Sequence, residues 1–330
     1  MPDTLILAGL ALGFVLLIAG GEILVRGSVA AAKKIGVSPL VIGLTLVGFG
    51  TSMPEMVVAV QAVWAGSPGL SMGGIVGSNI SNILLIIGFS ALLLPMPVAR
   101  ETVFRDGSAV MAATILFIAI ATFLPFTRTV GVILVAVLLV YLVFVWLQDR
   151  HKVEAQRAML DDPAPRATLG GILFSVAIAI IGMVIVITGG SLLVDNAIAV
   201  ARFLDVSDEV IGLTIVAIGT SMPELVTAII AAIRRQTDVA VGSVIGSNMF
   251  NMLSIGGVTS LLSPEPFRVA EHIVVYDNVI MLAATALLLA FAWSKRNVSR
   301  GEGLVLFFCY VAYISSLVLF ELQKAADAAV

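Results

Sequence analysis

Two glutamates carry the heaviest chemical implication in this chain. Glu55 lies in GTSMPEMV, residues 50–57, and Glu224 in GTSMPELV, residues 219–226, each deep within apolar sequence. A carboxylate in such a place is costly unless it is paired, protonated or bound to a cation. Neither motif contains Lys or Arg. Pro54 and Pro223 lack the N–H that would bond the carbonyl of Gly50 or Gly219, and their rings clash with it, so the helix must kink or break there. Carbonyls freed at membrane depth are tolerated where they line a cavity or coordinate an ion. Thr51 and Thr220 stand four residues before the glutamates, Ser52 and Ser221 three before, which puts them on one face if the turn persists. Ser78 and Asn82 repeat the four-residue spacing further along, as do Ser247 and Asn251. The donors on offer are carboxylate, amide, hydroxyl and carbonyl oxygens, with no His or Cys nearby. Hard cations take that set: Ca²⁺ binds about 6–8 oxygens at about 2.3–2.6 Å. Na⁺ is served by the same donors, and two carboxylates neutralise one Ca²⁺.

Each residue also has a plainer role open to it. Gly50, Gly77, Gly219 and Gly246 suit close helix packing as well as ligation. Ser78 and Ser247 could return their hydroxyls to the carbonyl four residues back. The glutamates could be protonated structural acids. Glu22 and Arg26, four apart, read as an ion pair, and Asp195 occupies the repeat position of Arg26, so that pair is not duplicated. His151 and His272 fall in predicted loops and are assigned no role.

The elements that must hold these residues are membrane helices. The chain has 330 residues, 60% hydrophobic and 12% charged, with mean hydropathy +1.12. A soluble domain carries about 25% charged residues. No basic stretch points to nucleic acid, and one cysteine, Cys309, excludes a disulfide framework or a cysteine metal site. The apolar N-terminus has no Lys or Arg ahead of its apolar run, and is expected to be a spanning helix rather than a signal peptide. Ten spans are predicted, near residues 4–32, 37–65, 69–95, 108–125, 129–148, 168–201, 209–233, 239–262, 276–294 and 303–322, against the ~20 residues a bilayer needs.

Residues 36–88 and 205–257 agree, without a gap, at 25 of 53 positions. The matches include Gly, Thr, Ser, Pro, Glu and Asn, which two apolar helices would not share through composition. The expected organisation is a first five-helix repeat over 1–148, a polar linker over 149–167 and a second repeat over 168–330. With the N-terminus outside, the cytoplasmic loops hold 13 Lys and Arg and the opposite side 4. Positive-inside bias therefore favours both termini outside and a cytoplasmic linker. Five spans per repeat make the second copy enter the membrane from the other face, the inverted plan of secondary transporters whose sites lie near the midplane.

The paired sequences GTSMPE…GSNISN and GTSMPE…GSNMFN resemble the two α-repeats of the Ca²⁺:cation antiporter superfamily, the sodium/calcium exchangers and their prokaryotic relatives. The likeness extends over the whole chain. It implies an all-α polytopic protein of ten helices with four central ion sites formed by helices 2, 3, 7 and 8. By motif position, Glu55, Glu224, Asn82 and Asn251 would be core ligands. Thr51, Thr220, Ser52, Ser221, Ser78, Ser247 and the carbonyls of Gly48 and Ala217 would complete the outer sites. One position departs: many relatives, including potassium-dependent ones, have Asp where this chain has Asn251.

The function expected is exchange of Na⁺ for Ca²⁺ across a prokaryotic inner membrane by alternating access, without a cofactor. The long first and sixth spans are the candidate moving bundle. The alternative within transport is H⁺/Ca²⁺ exchange on the same glutamates; Ser and Thr ligands favour Na⁺, since proton coupling needs only the acids. A channel would respond differently to a Na⁺ gradient. An intramembrane hydrolase lacks its constellation, because only Asp195 is predicted at depth besides the glutamates and neither His is.

Overall fold

The computed structural model describes residues 4–159, 168–203, 219 and 221–328. It is a bundle of long helices: α1 (Thr4–Ile35), α2 (Pro39–Thr51), α3 (Met53–Trp64), α4 (Pro68–Leu93), α5 (Thr102–Phe123), α6 (Arg128–Met159), α7 (Leu169–Phe203), α8 (Met222–Ile233), α9 (Thr237–Leu262), α10 (Ile273–Ser294) and α11 (Arg300–Ala328). Eight of these are long and apolar enough to cross a membrane, and α2 with α3 makes a ninth, bent by 43°. α8 is the described part of the predicted span 209–233, whose first half lies outside the described residues. A two-stranded antiparallel ladder, β1 (Met96–Pro97) with β2 (Asn297–Val298), ties the end of α4 to the start of α11.

Burial sorts the helices. α9 is buried along its whole apolar window, whereas only 22% of that of α1 is buried, with Leu5 and Phe14 among its exposed side chains. α9 is therefore the core strut, and α1 an outer helix with an apolar surface suited to lipid. α1 packs along α7, and their backbones touch because Gly13 and Gly20 carry no side chain. A Cβ on Gly13 would stand 2.8 Å from Leu193 N, and one on Gly20 2.7 Å from Val186 N.

Local sequence explains where helices start and bend. Ser38 caps α2 through its hydroxyl to Val41 N, and Pro39 follows at the first helical position. Asp149 of α6 holds that cap, accepting from Ser38 N at 2.6 Å and Ser38 Oγ at 2.9 Å. At Ser52 and Ser221 the backbone leaves the helix in the same way (φ −82°, ψ 1° and φ −90°, ψ 5°), just before Pro54 and Pro223. Widened π-helical turns run over Asn82–Ile87 in α4 and Phe250–Ile255 in α9; such turns concentrate at functional sites.

Three expectations need correction. α6 continues helically through Met159, so the linker predicted from residue 149 begins as helix. His151 lies in that helix, and His272 lies in the helical turn just ahead of α10 rather than in a loop. The fourth and ninth spans begin earlier than predicted, at Thr102 and Ile273. Their early turns contain Asp106, paired with Arg105 at 2.7 Å and accepting from Tyr141 Oη at 3.0 Å, and Asp277, accepting from Tyr313 Oη at 2.9 Å. Partnered charges can enter a helix bundle where isolated ones cannot.

Candidate functional site

The two GTSMPE motifs meet across the bundle. α3, which carries Glu55, packs on the π-helical turn that holds Asn251. α8, which carries Glu224, packs on the turn opened by Asn82. The helix of each glutamate is thus packed on the turn that carries the asparagine of the other copy. The proline break places it in the first turn of its helix, beyond the bend.

Glu224 is buried, and Ser52 donates its hydroxyl to Glu224 Oε1 at 3.4 Å. The hydroxyls of Thr51 and Ser247 also face this carboxylate. Thr51 Oγ1 is shared between Val47 O at 3.1 Å and Ser247 Oγ at 3.4 Å. Ser247 donates to Gly48 O at 3.3 Å, so its hydroxyl crosses between helices rather than returning to its own backbone. That crossing depends on close approach: a Cβ on Gly48 would be 2.9 Å from Ser247 N. Glu55 has intermediate exposure as a residue, but its Oε2 is buried, and it lies within electrostatic reach of Glu224.

The structure therefore joins Thr51, Ser52, Ser247, Gly48 and Glu224 by direct contacts, with Glu55 beside them. Ser78, Asn82, Ser221 and Asn251 are buried on the same packed elements. Thr220 and Ala217 lie outside the described residues. Ser78–Asn82 and Ser247–Asn251 fall near the middle of 26-residue helices, as far from either end as those helices allow.

Among the described residues, five buried oxygens of this group have no hydrogen-bond partner: Glu55 Oε2, Glu224 Oε2, Asn82 Oδ1, Asn251 Oδ1 and Ser221 Oγ. Four of them can only accept while the carboxylates are ionised. Leaving a buried acceptor unmet costs about 1–3 kcal/mol each, more for charged groups. Cations are the natural partners of such acceptors, so the donor set fits hard, oxygen-seeking ions. Among the described residues no three His, Cys, Asp or Glu side chains cluster, so any ion here takes a mixed set of carboxylate, amide and hydroxyl ligands.

The GSN tripeptides hold one residue the sequence reading left without a role. Asn248 of α9 accepts from Asn82 Nδ2 at 2.9 Å through Oδ1, and donates Nδ2 to Asn79 O at 3.4 Å. Its repetition as Asn79 was the available signal, but only the packing of α4 on α9 shows which partner it meets.

The family model for sodium/calcium exchanger protein matches residues 5–147 and 174–319. The chain belongs to the sodium/calcium exchanger family. Its relatives include CaxA of Alkalimonas amylolytica, 34% identical over 91% of this chain and 95% of that protein. The sodium/calcium exchanger MaX1 of Methanosarcina acetivorans is 32% identical over 92% of this chain and 96% of its own length. Among solved structures, the sodium-calcium exchanger NCX_Mj superposes with a TM-score of 0.82 at 30% identity, covering 95% of this chain and 98% of that one. This exchanger-family chain is accordingly a multi-pass membrane antiporter for Ca²⁺ and a counter-cation, not an enzyme. Its ions are cargo rather than cofactors.

Proposed function

We propose that this protein exchanges Na⁺ for Ca²⁺ by alternating access, binding both at the meeting point of the two GTSMPE motifs. The observation that carries the reading is the pair of neighbouring carboxylates, each with a buried Oε2 that has no hydrogen-bond partner among the described residues, on packed elements that also hold unpartnered oxygens of Asn82, Asn251 and Ser221. Glu55, Glu224, Asn82 and Asn251 would be the core ligands. Thr51, Ser52, Ser78, Ser221, Ser247, Thr220 and the carbonyls of Gly48 and Ala217 would serve the outer sites. Ca²⁺ is held by two charges; Na⁺ ions distributed over the same oxygens neutralise the same carboxylates. Because neither ion set can bind over the other, loading is alternate, and a Na⁺ gradient drives Ca²⁺ the opposite way. Proton coupling would use the glutamates alone, whereas the hydroxyls turned onto Glu224 add neutral oxygens of the kind Na⁺ uses.

In this reading ten helices form two inverted repeats, over 1–148 and 168–330, in an inner membrane with a cytoplasmic linker and both termini outside. α1 and α7, joined at their glycines and packed on the helix that carries Glu224, form the element that moves against the site. Ca²⁺ uptake into proteoliposomes loaded with Na⁺ tests the coupling: uptake should exceed that in choline-loaded vesicles and should not be restored by an imposed pH gradient alone. Uptake that follows the pH gradient and ignores Na⁺ would replace this reading by proton exchange. For the orientation, impermeant thiol reagent should reach a cysteine at position 327 but not at 157 in intact cells on a Cys309-free background; the reverse pattern overturns it.

A further inference from the structure

We infer that Asn248 is a positioning residue that locks the Asn82 amide with its carbonyl oxygen toward the ion, and that this lock makes position 82 accept only an amide, while position 251 is open to a carboxylate. The inference rests on the reading of Asn82 as a cation ligand.

One group in this cluster has a fixed polarity. The backbone carbonyl of Asn79 can only accept, so the end of Asn248 that faces it at 3.4 Å must be its NH₂. Asn248 Oδ1 then points the other way, 2.9 Å from the Asn82 amide. An acceptor there requires the NH₂ of Asn82, and Asn82 Oδ1 is left facing away, buried and without a partner. One backbone carbonyl thus sets two side-chain amides in series. All three asparagines are buried.

The other copy is built differently. Asn79 stands where Asn248 stands in its repeat, but turns its Nδ2 back onto Ile75 O at 2.7 Å, within its own helix. Among the described residues its Oδ1 has no partner, and neither has Asn251 Oδ1. No chain of fixed polarity from these residues reaches Asn251. A carboxylate at 251 would therefore meet no opposing acceptor from this quarter. At 82 it would place an oxygen against Asn248 Oδ1, and Asn248 could not turn to donate without setting that oxygen against Asn79 O.

The test is Ca²⁺ binding to purified full-length protein, measured with ⁴⁵Ca²⁺ at equilibrium and alongside transport, for Asn248→Leu, Asn82→Ala and the double variant. Removing a group that orients a metal ligand costs about 10–100-fold in affinity. Asn248→Leu should weaken Ca²⁺ binding by that order, and should add nothing once Asn82 is Ala. If Asn82→Ala leaves binding unchanged, the ligand reading fails. If Asn82→Ala weakens binding and Asn248→Leu does not, or if the two losses add, the positioning role is overturned while the ligand reading stands. A second comparison leaves Asn248 intact and is read whether or not Asn248→Leu folds: Asn82→Asp should lose at least about tenfold more Ca²⁺ affinity than Asn251→Asp, on the same scale for a misplaced ligand. Equal effects of the two Asp variants would also overturn the lock.

Discussion

The two copies of the site motif are nearly the same in sequence and unequal in structure. GTSMPE, GSN and the asparagine four residues after the serine recur at 169-residue spacing, and the kinks at Ser52 and Ser221 have matching backbone angles. Yet Asn82 is held through Asn248 to a backbone carbonyl, while Asn251 receives no such hold from Asn79. The repeat supplies the same side-chain types twice. The packing of α4 on α9 then gave one arm a fixed polarity and left the other without it. A site of this kind can keep its charge-setting glutamates symmetric and vary its properties through the less constrained arm.

The largest effect should come where the arms are equal. Glu55→Gln and Glu224→Gln each keep shape and one oxygen but remove half the anionic charge around a divalent ion. Breaking one side of a buried charge pair costs about 3–5 kcal/mol, which is two orders of magnitude or more in affinity. Both variants should abolish Ca²⁺ uptake at matched membrane expression. Near-normal uptake by either would break the symmetry claimed for the carboxylates.

A smaller effect is expected at Ser247, whose hydroxyl bridges Gly48 O, Thr51 and Glu224. Ser247→Ala removes buried hydrogen bonds each contributing about 1 kcal/mol, so the apparent Ca²⁺ affinity should fall several-fold with folding retained. An unchanged Ca²⁺ titration would remove Ser247 from the site. The smallest effect, none at all, is expected for K⁺. With Asn rather than Asp at 251, the two glutamates are balanced by one Ca²⁺, and a further buried cation would be uncompensated. Na⁺-driven uptake should be the same when K⁺ is replaced by choline on both sides; collapse without K⁺ would mean that the open arm carries charge from elsewhere.

Much of the scaffold was legible in the residues themselves. Apolar runs of membrane length, Pro54 and Pro223 after Gly and Thr, and polar residues shared between copies led to the helices, the bends and the buried cluster. The start of α5 was not legible because Arg105 and Asp106 look too polar for a span until Tyr141 and their mutual pairing are seen. The extension of α6 was hidden by reading charge as loop, although Lys, Glu, Ala, Gln and Arg over 152–158 are good helix formers. Asn248 could not be distinguished from Asn79 by sequence, since both follow Gly-Ser; which of them faces a ligand is decided by the packing of α4 on α9.

The central claim is that Na⁺ and Ca²⁺ use one set of oxygens around Glu55 and Glu224. Equilibrium ⁴⁵Ca²⁺ binding to the purified protein, titrated with Na⁺ at constant ionic strength maintained with choline, addresses it without vesicles or gradients. The apparent Ca²⁺ dissociation constant should rise steadily with Na⁺, with the number of Ca²⁺ sites unchanged. A Ca²⁺ isotherm that does not move as Na⁺ replaces choline would contradict the shared site.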